Sequence, residues 1–95
     1  MDRRRCPWDA MLIPQVAEIQ GRDGPVRFFW CWSCVELFAS VGDAGKWTAG
    51  FAWDDARAAW RVAEFWGIQS EMETAVVAVT HVGEQQSRRQ VLSGP

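Results

Sequence analysis

Val26-Arg27-Phe28-Phe29-Trp30-Cys31-Trp32-Ser33-Cys34-Val35-Glu36-Leu37-Phe38-Ala39-Ser40-Val41 is the stretch whose reading decides the fold. Its first part, Val26 to Cys31, is aromatic and β-prone. Just ahead, Gly21-Arg22-Asp23-Gly24-Pro25 is dense turn chemistry, and Gln15 to Gln20 alternates in part. Two such runs around one turn predict a β-hairpin. The second part changes period. Ser33 and Glu36 match a capping box, in which the serine oxygen accepts from the third helical amide and the glutamate reaches back. Cys34, Leu37, Phe38 and Val41 then fall at i, i+3, i+4 and i+7, and Gly42 is a suitable stop. The spacing predicts a short helix over 33–41.

Downstream, Gly42-Asp43-Ala44-Gly45 reads as a loop. Lys46 to Trp53 alternates Trp47, Ala49, Phe51 and Trp53 against smaller or polar neighbours, the pattern of a strand. Asp54 suits a helix N-cap and Asp55 the positive end of a helix dipole. Ala56, Ala59, Trp60, Ala63 and Trp66 form one stripe on a helical wheel, with Gly67 as stop, while Phe65 falls off the stripe and reads as exposed. Met72 to Val82 is rich in β-branched residues and predicts the final, most buried strand. The expected architecture is α+β: a β-hairpin, a short helix, a strand, a longer helix and a final strand in a single compact domain over 1–84. That domain divides into 6–41 and a β-α-β unit over 46–82, with 85–95 as an edge strand or flexible tail.

Ninety-five residues make one small domain. The 7 Trp and 5 Phe exceed what so small a core requires, so some aromatic rings should stand at the surface, where they favour interfaces. Asn and Tyr are absent and Arg greatly outnumbers Lys, the coding signature of a GC-rich bacterium or its phage. The net charge of −2 opposes general nucleic-acid binding, which draws on phosphate neutralisation. Only Arg3-Arg4-Arg5 and Arg88-Arg89 are local basic spots. No segment reaches the roughly 20 apolar residues of a membrane helix. The N-terminus lacks the apolar stretch of a signal peptide. Three Cys, an odd number, argue against a disulfide framework and for a reducing bacterial cytoplasm.

The cysteines carry the sharpest pattern. Cys6-Pro7-Trp8-Asp9 and Cys31-Trp32-Ser33-Cys34 are two C-x-x-ligand pairs separated by the predicted hairpin. Each short pair bends around one ion, and the hairpin brings the pairs together into a tetrahedron of Cys6, Asp9, Cys31 and Cys34, suited to structural zinc. The alternative is three buried thiols packed as small hydrophobes. Over residues 6 to about 41 the chain resembles the zinc-ribbon and treble-clef families. CPWD looks like their knuckle with Asp as second ligand, and CWSC at a helix start is similar to the treble-clef layout. The resemblance implies a structural metal holding a recognition surface for nucleic acid or protein. The chain departs from the family pattern at Ala10 and Val35, where such knuckles usually carry Gly.

A looser likeness runs from about Pro14 to Gly83. Strand, Trp30-Cys31-x-x-Cys34 and helix resemble a degenerate thioredoxin-like domain, which implies Cys31 as nucleophile and Cys34 as resolving thiol. Against it, Glu73 stands where thioredoxins place a cis-proline, and their final helix has no counterpart. His81, the single histidine, is an alternative metal ligand to Asp9. No nucleophile–base–acid set or phosphate-binding Gly loop is visible.

Trp8, Trp30, Trp32 and Phe65 are the candidate binding residues, because alternate strand positions put Trp30 and Trp32 on one face and Phe29 and Cys31 on the other. The expected function is non-enzymatic recognition, of protein in preference to nucleic acid. Size, mild acidity and aromatic surplus suit a phage-encoded inhibitor or accessory factor of the anti-CRISPR type, an analogy of style with no motif behind it. A dithiol protein and a nucleic-acid-binding ribbon are the alternatives. The oligomeric state is left open.

Overall fold

The structure, a computed structural model, describes residues 3–42 and 45–85. Six strands follow one another: β1 (Arg3–Arg5), β2 (Leu12–Gly21), β3 (Gly24–Cys31), β4 (Glu36–Val41), β5 (Ala49–Asp54) and β6 (Ala59–Phe65). Each pairs antiparallel with the next, so the sheet order is the sequence order. One helix, α1 (Gln69–Gln85), closes the described chain. The β2–β3 hairpin forms where the turn residues place it, with Gly21 opposite Gly24. Gly24 has φ 120°, a conformation that glycine adopts without penalty.

The central strands β3 and β4 are buried on both faces. Val26, Phe28 and Trp30 pair with Val41, Ala39 and Leu37 and point to one side. Phe29 pairs with Phe38 on the other. On the first side α1 lays down Ala75, Ala78, Val79 and Val82, at i, i+3, i+4 and i+7, against those residues and against Ala49 and Phe51. Each fully buried ring contributes roughly 1.5–3 kcal/mol from the apolar area it removes from water. Gly21 permits the approach, since a Cβ there would lie 2.8 Å from Thr74 Cγ2. Thr74 Oγ1 also donates to Asp23 Oδ2 at 3.0 Å, pinning α1 to the β2–β3 turn.

The other face holds a smaller cluster of Cys6, Ile13, Phe29, Cys31 and Phe38, with Cys34 and Trp47 packed on it. Arg4 lies over it, its guanidinium 5.0 Å from the Phe29 ring centroid and 5.7 Å from Trp47. The Trp47 indole donates to the Arg5 carbonyl at 3.3 Å, which holds β1 in place.

The α+β class stands in coarse form, as a predominantly sheet domain with one helix, but three elements differ from the sequence expectation. Residues 33–41 form a turn and β4, not a short helix. The spacing of Cys34, Leu37, Phe38 and Val41 arose because a strand covered on both faces is apolar almost throughout, which hides its period of two. Residues 54–66 form a turn and β6, not a longer helix. Asp54 Oδ1 does accept from Ala56 and Arg57 amides at 3.1 and 3.3 Å, but it starts a hairpin turn that Ala58 closes at φ 53°. Pairing of Trp53 with Trp60 then overrides the alanine-rich helical propensity. The final strand over 72–82 is instead the middle of α1, where the buried stripe outweighs the β-preference of Val76, Val77 and Thr80. A β-α-β unit over 46–82 is accordingly not formed. The proposed tail lies outside the described residues beyond Gln85.

Candidate metal centre

The β1–β2 and β3–β4 connections lie side by side, because β2 and β3 pair between them. Cys6 follows β1 directly and Cys31 is the last residue of β3. Each leads a tight turn in which the residue after the second ligand is left-handed: Ala10 at φ 60° and Val35 at φ 53°. These are the positions where ribbon knuckles carry Gly. Both turns are left-handed there although both residues bear a Cβ, and for β-branched Val35 the conformation is strained. Ala58 adopts the same conformation in a hairpin without ligands, so the conformation alone marks a tight turn. Its repetition around two ligand pairs is the specific feature.

The four side chains converge. One ligand atom from each of Cys6, Asp9, Cys31 and Cys34 lies within 4.8 Å of all the others. Cys6 Sγ and Cys34 Sγ are 3.7 Å apart, Cys31 Sγ is 3.7 Å from Asp9 Oδ2, and Cys34 Sγ is 3.8 Å from the same oxygen. Two sulfurs bonded tetrahedrally to zinc at about 2.3 Å stand about 3.8 Å apart, so the donor set fits the ion. The knuckle supports it in detail. The Trp8 amide donates to Cys6 Sγ at 3.4 Å. The Met11 amide donates to Asp9 Oδ1 at 3.0 Å, and the Ser33 hydroxyl donates to Asp9 Oδ2 at 2.7 Å. These two contacts fix the carboxylate so that Oδ2 faces the sulfurs.

The electrostatics follow from this crowding. The Ser33 hydroxyl and the Met11 amide hold the Asp9 carboxyl down at about 2. Burial pushes the Cys31 thiol up, but the Cys34 amide, the Ser33 hydroxyl and the neighbouring thiols outweigh it and bring it below its ordinary value. Burial raises Cys6 despite the Asp9 and Trp8 amides. Cys34 is raised strongly, by burial and then by Cys6 and Cys31. One negative sulfur is thus favoured while its neighbours resist ionising, as expected where three thiols crowd together.

Other candidates fall elsewhere. His81 stands exposed on α1, beside Ile19, Val77 and Glu73 in a groove of about 350 Å³, and is not part of the cluster. Cys31 and Cys34 flank a turn between strands, so the thioredoxin-like arrangement of a dithiol at a helix start is not present. Trp8 and Trp32 are exposed, at 55% and 39%, but Trp30 is a core residue at 1% and Phe65 packs half-buried against the main core. The Trp30 and Trp32 rings meet edge to face, with centroids 5.3 Å apart, although Trp32 lies in the turn beyond β3.

Sequence reasoning missed Trp66, 42% exposed and 5.6 Å from Trp8, because it was placed inside a helical stripe. Exposed Met11 and Val35 flank the same knuckles. Beside Trp8, Glu36 of β4 and Glu64 of β6 form an acidic pair: burial, then the hydrogen bond and charge of Glu64, push Glu36 up to about 7. Of the three N-terminal arginines, Arg4 covers the Phe29 and Trp47 rings and Arg5 Nη1 donates to the Ala10 carbonyl at 2.9 Å. No helix among the described residues is long and apolar enough to cross a membrane. Compared with known proteins, the chain matches no family model, no curated protein and no solved structure.

Proposed function

We propose that this protein is a non-enzymatic protein-binding module whose recognition surface is shaped by a structural zinc ion held by Cys6, Asp9, Cys31 and Cys34. The observation that carries the reading is the convergence of these four donors, from two separate turns, at tetrahedral spacing. Zinc bonded there supplies cross-linking and no catalysis, since all four positions are filled by protein. Both ligand pairs sit in hairpin connections, which supports a ribbon-like arrangement over a treble clef. The ion ties together the two tips that display Trp8 and Val35, and Trp66 and Met11 widen the exposed apolar surface. Apolar surface of this kind, centred on Trp, suits a protein partner. Nucleic acid is the weaker reading, because Arg4 and Arg5 are engaged within the domain.

Metal analysis of protein purified without a polyhistidine tag should find zinc at close to one equivalent. A strong chelator should lower the melting temperature, Asp9→Cys should keep the metal and Asp9→Ala should weaken its binding. Metal-free protein whose melting is indifferent to both chelator and added zinc would overturn the reading.

A further inference from the structure

Two of the three thiols face each other across the gap between the hairpin tips. Cys6 Sγ, from the first knuckle, is 3.7 Å from Cys34 Sγ, from the second. Cys34 is the most accessible of the three, half-buried beside exposed Trp32, Ser33 and Val35, whereas Cys6 and Cys31 are buried. Cys31 is anchored as the last residue of β3, with its sulfur 3.7 Å from Asp9 Oδ2 and 3.6 Å from Ser33 Oγ. A disulfide needs about 2.05 Å between sulfurs, so Cys6 and Cys34 must close by under about 2 Å, and both are carried by turns.

We propose that the centre doubles as a thiol switch, in which a hydroperoxide converts Cys6 and Cys34 into a disulfide and expels the zinc. This rests on the reading of Cys6, Asp9, Cys31 and Cys34 as a zinc site. Metal-bound Cys34 thiolate attacks the outer peroxide oxygen, the O–O bond breaks, and the alkoxide or hydroxide leaves and takes up a proton. The Cys34 sulfenic acid so formed is attacked by the Cys6 thiolate. The S–O bond breaks, the S–S bond forms, and the hydroxide released takes a second proton to become water. Two electrons pass from the two sulfurs to the peroxide. Zinc then retains only Cys31 and Asp9, too few donors to hold it. The disulfide spans the same two tips as the ion, so the hairpins stay joined while the charge and shape around Trp8 and Val35 change.

The test treats zinc-loaded protein with hydrogen peroxide in the presence of a chromogenic zinc chelator, followed by tryptic mapping without reductant. Trypsin leaves Cys6 on the peptide 6–22 and both Cys31 and Cys34 on the peptide 28–46. A cross-linked pair of peptides is therefore separable by mass from an internal Cys31–Cys34 bond, and fragmentation assigns the sulfur. The expected result is zinc release in proportion to a Cys6–Cys34 disulfide, reversed by dithiothreitol and added zinc. Cys31→Ser, which keeps the pair, should still form that disulfide, and Cys34→Ser should not. A Cys31–Cys34 bond in place of it, zinc loss with only over-oxidised thiols, or zinc retained under peroxide that oxidises a free thiol would each overturn the proposal. If the protein takes up no zinc, the metal reading fails by itself, and the same mapping of the metal-free protein still decides the pairing.

Discussion

Glu36 and Ser33 are single residues with measurable consequences. Glu36 is held up at about 7 against an ordinary 4.5, by burial and by Glu64. Its Oε2 and the Glu64 Oε1 are both buried without a hydrogen-bond partner, and a proton on Glu36 lets it donate to its neighbour. The space for this pair exists because residue 50 is glycine, since a Cβ there would lie 2.6 Å from Glu36 Oε2. A carboxyl raised in the folded state stabilises it fully below 4.5 and loses that contribution as pH rises through about 7. Glu64→Gln should reduce the loss, since it removes the Glu64 charge and offers Glu36 an amide donor while burial of Glu36 remains. The melting temperature of this variant relative to the parent should therefore rise between about pH 5 and about pH 8, and a difference independent of pH would refute the pairing. The comparison cancels any pH dependence of the proposed metal site, which both proteins share. Ser33 stands one step out from the proposed metal site, through its 2.7 Å hydrogen bond to Asp9 Oδ2. Ser33→Ala should weaken zinc binding by roughly ten- to a hundredfold, the usual effect of removing an outer hydrogen bond, with the fold intact by circular dichroism. Unchanged affinity in a competition titration would mean that Asp9 is not a ligand.

At the scale of elements, turns decide more than propensities do. Val35 sits left-handed at φ 53° with a β-branched side chain. Glycine removes that strain but loses more entropy on folding, so Val35→Gly should stabilise the protein by a net of about 0.5–1 kcal/mol. A denaturant midpoint that fell without a change in slope would show that the exposed valine packs more usefully than its exposure suggests. Gly21→Ala should do the opposite and cost roughly 1–3 kcal/mol, because the new methyl meets Thr74 and Val26 side chains at 2.8 and 3.0 Å. The same elements show what was legible in the sequence. The β2–β3 hairpin and β5 could be read because turn chemistry and alternation agree there. The knuckles could be read because ligand spacing is local, so the site emerged even though the element after it was misread as a helix. The 33–41 and 54–66 segments could not be read, because their helical signals are also what doubly buried or hairpin-closing strands display. In α1 the deciding feature was non-local. Ala75, Ala78, Val79 and Val82 have a buried stripe only because the opposite face of the sheet core, Phe28 and Phe51 included, was there to receive it. Its N-terminal signal was half present, as Glu71 reaches back to the Ile68 amide at 3.0 Å without a serine or threonine cap.

The molecule as a whole is a sheet with two unequal cores, and this asymmetry sets how it should come apart. The helix side joins Ala17, Val26, Phe28, Trp30, Leu37, Ala39, Val41, Ala49 and Phe51 to four residues of α1. Among the described residues the cluster on the other face joins five buried apolar residues, two of them the candidate ligands Cys6 and Cys31. Strand β1 adds three residues at the edge of the sheet and touches the rest through β2, the Arg4 guanidinium and the Arg5 carbonyl. If zinc is bound as proposed, taking it away leaves the first core whole. In the second it leaves three crowded thiols beside an aspartate, with no ion to join the two hairpin tips. Opening should therefore be local, in a unit drawn from the least stable part of the structure. Hydrogen exchange on chelated protein should show lost protection in β1, in the 6–11 and 32–35 turns and at the start of β4. Amides of β3, of β5 and in the middle of α1 should keep most of theirs. Restoring zinc should restore the first set alone. Uniform loss across all elements would mean that the metal side carries the cooperativity of the entire domain. No loss anywhere would mean that the hairpin tips are held by Phe29, Phe38 and Trp47 packing, with the cysteines as ordinary core residues.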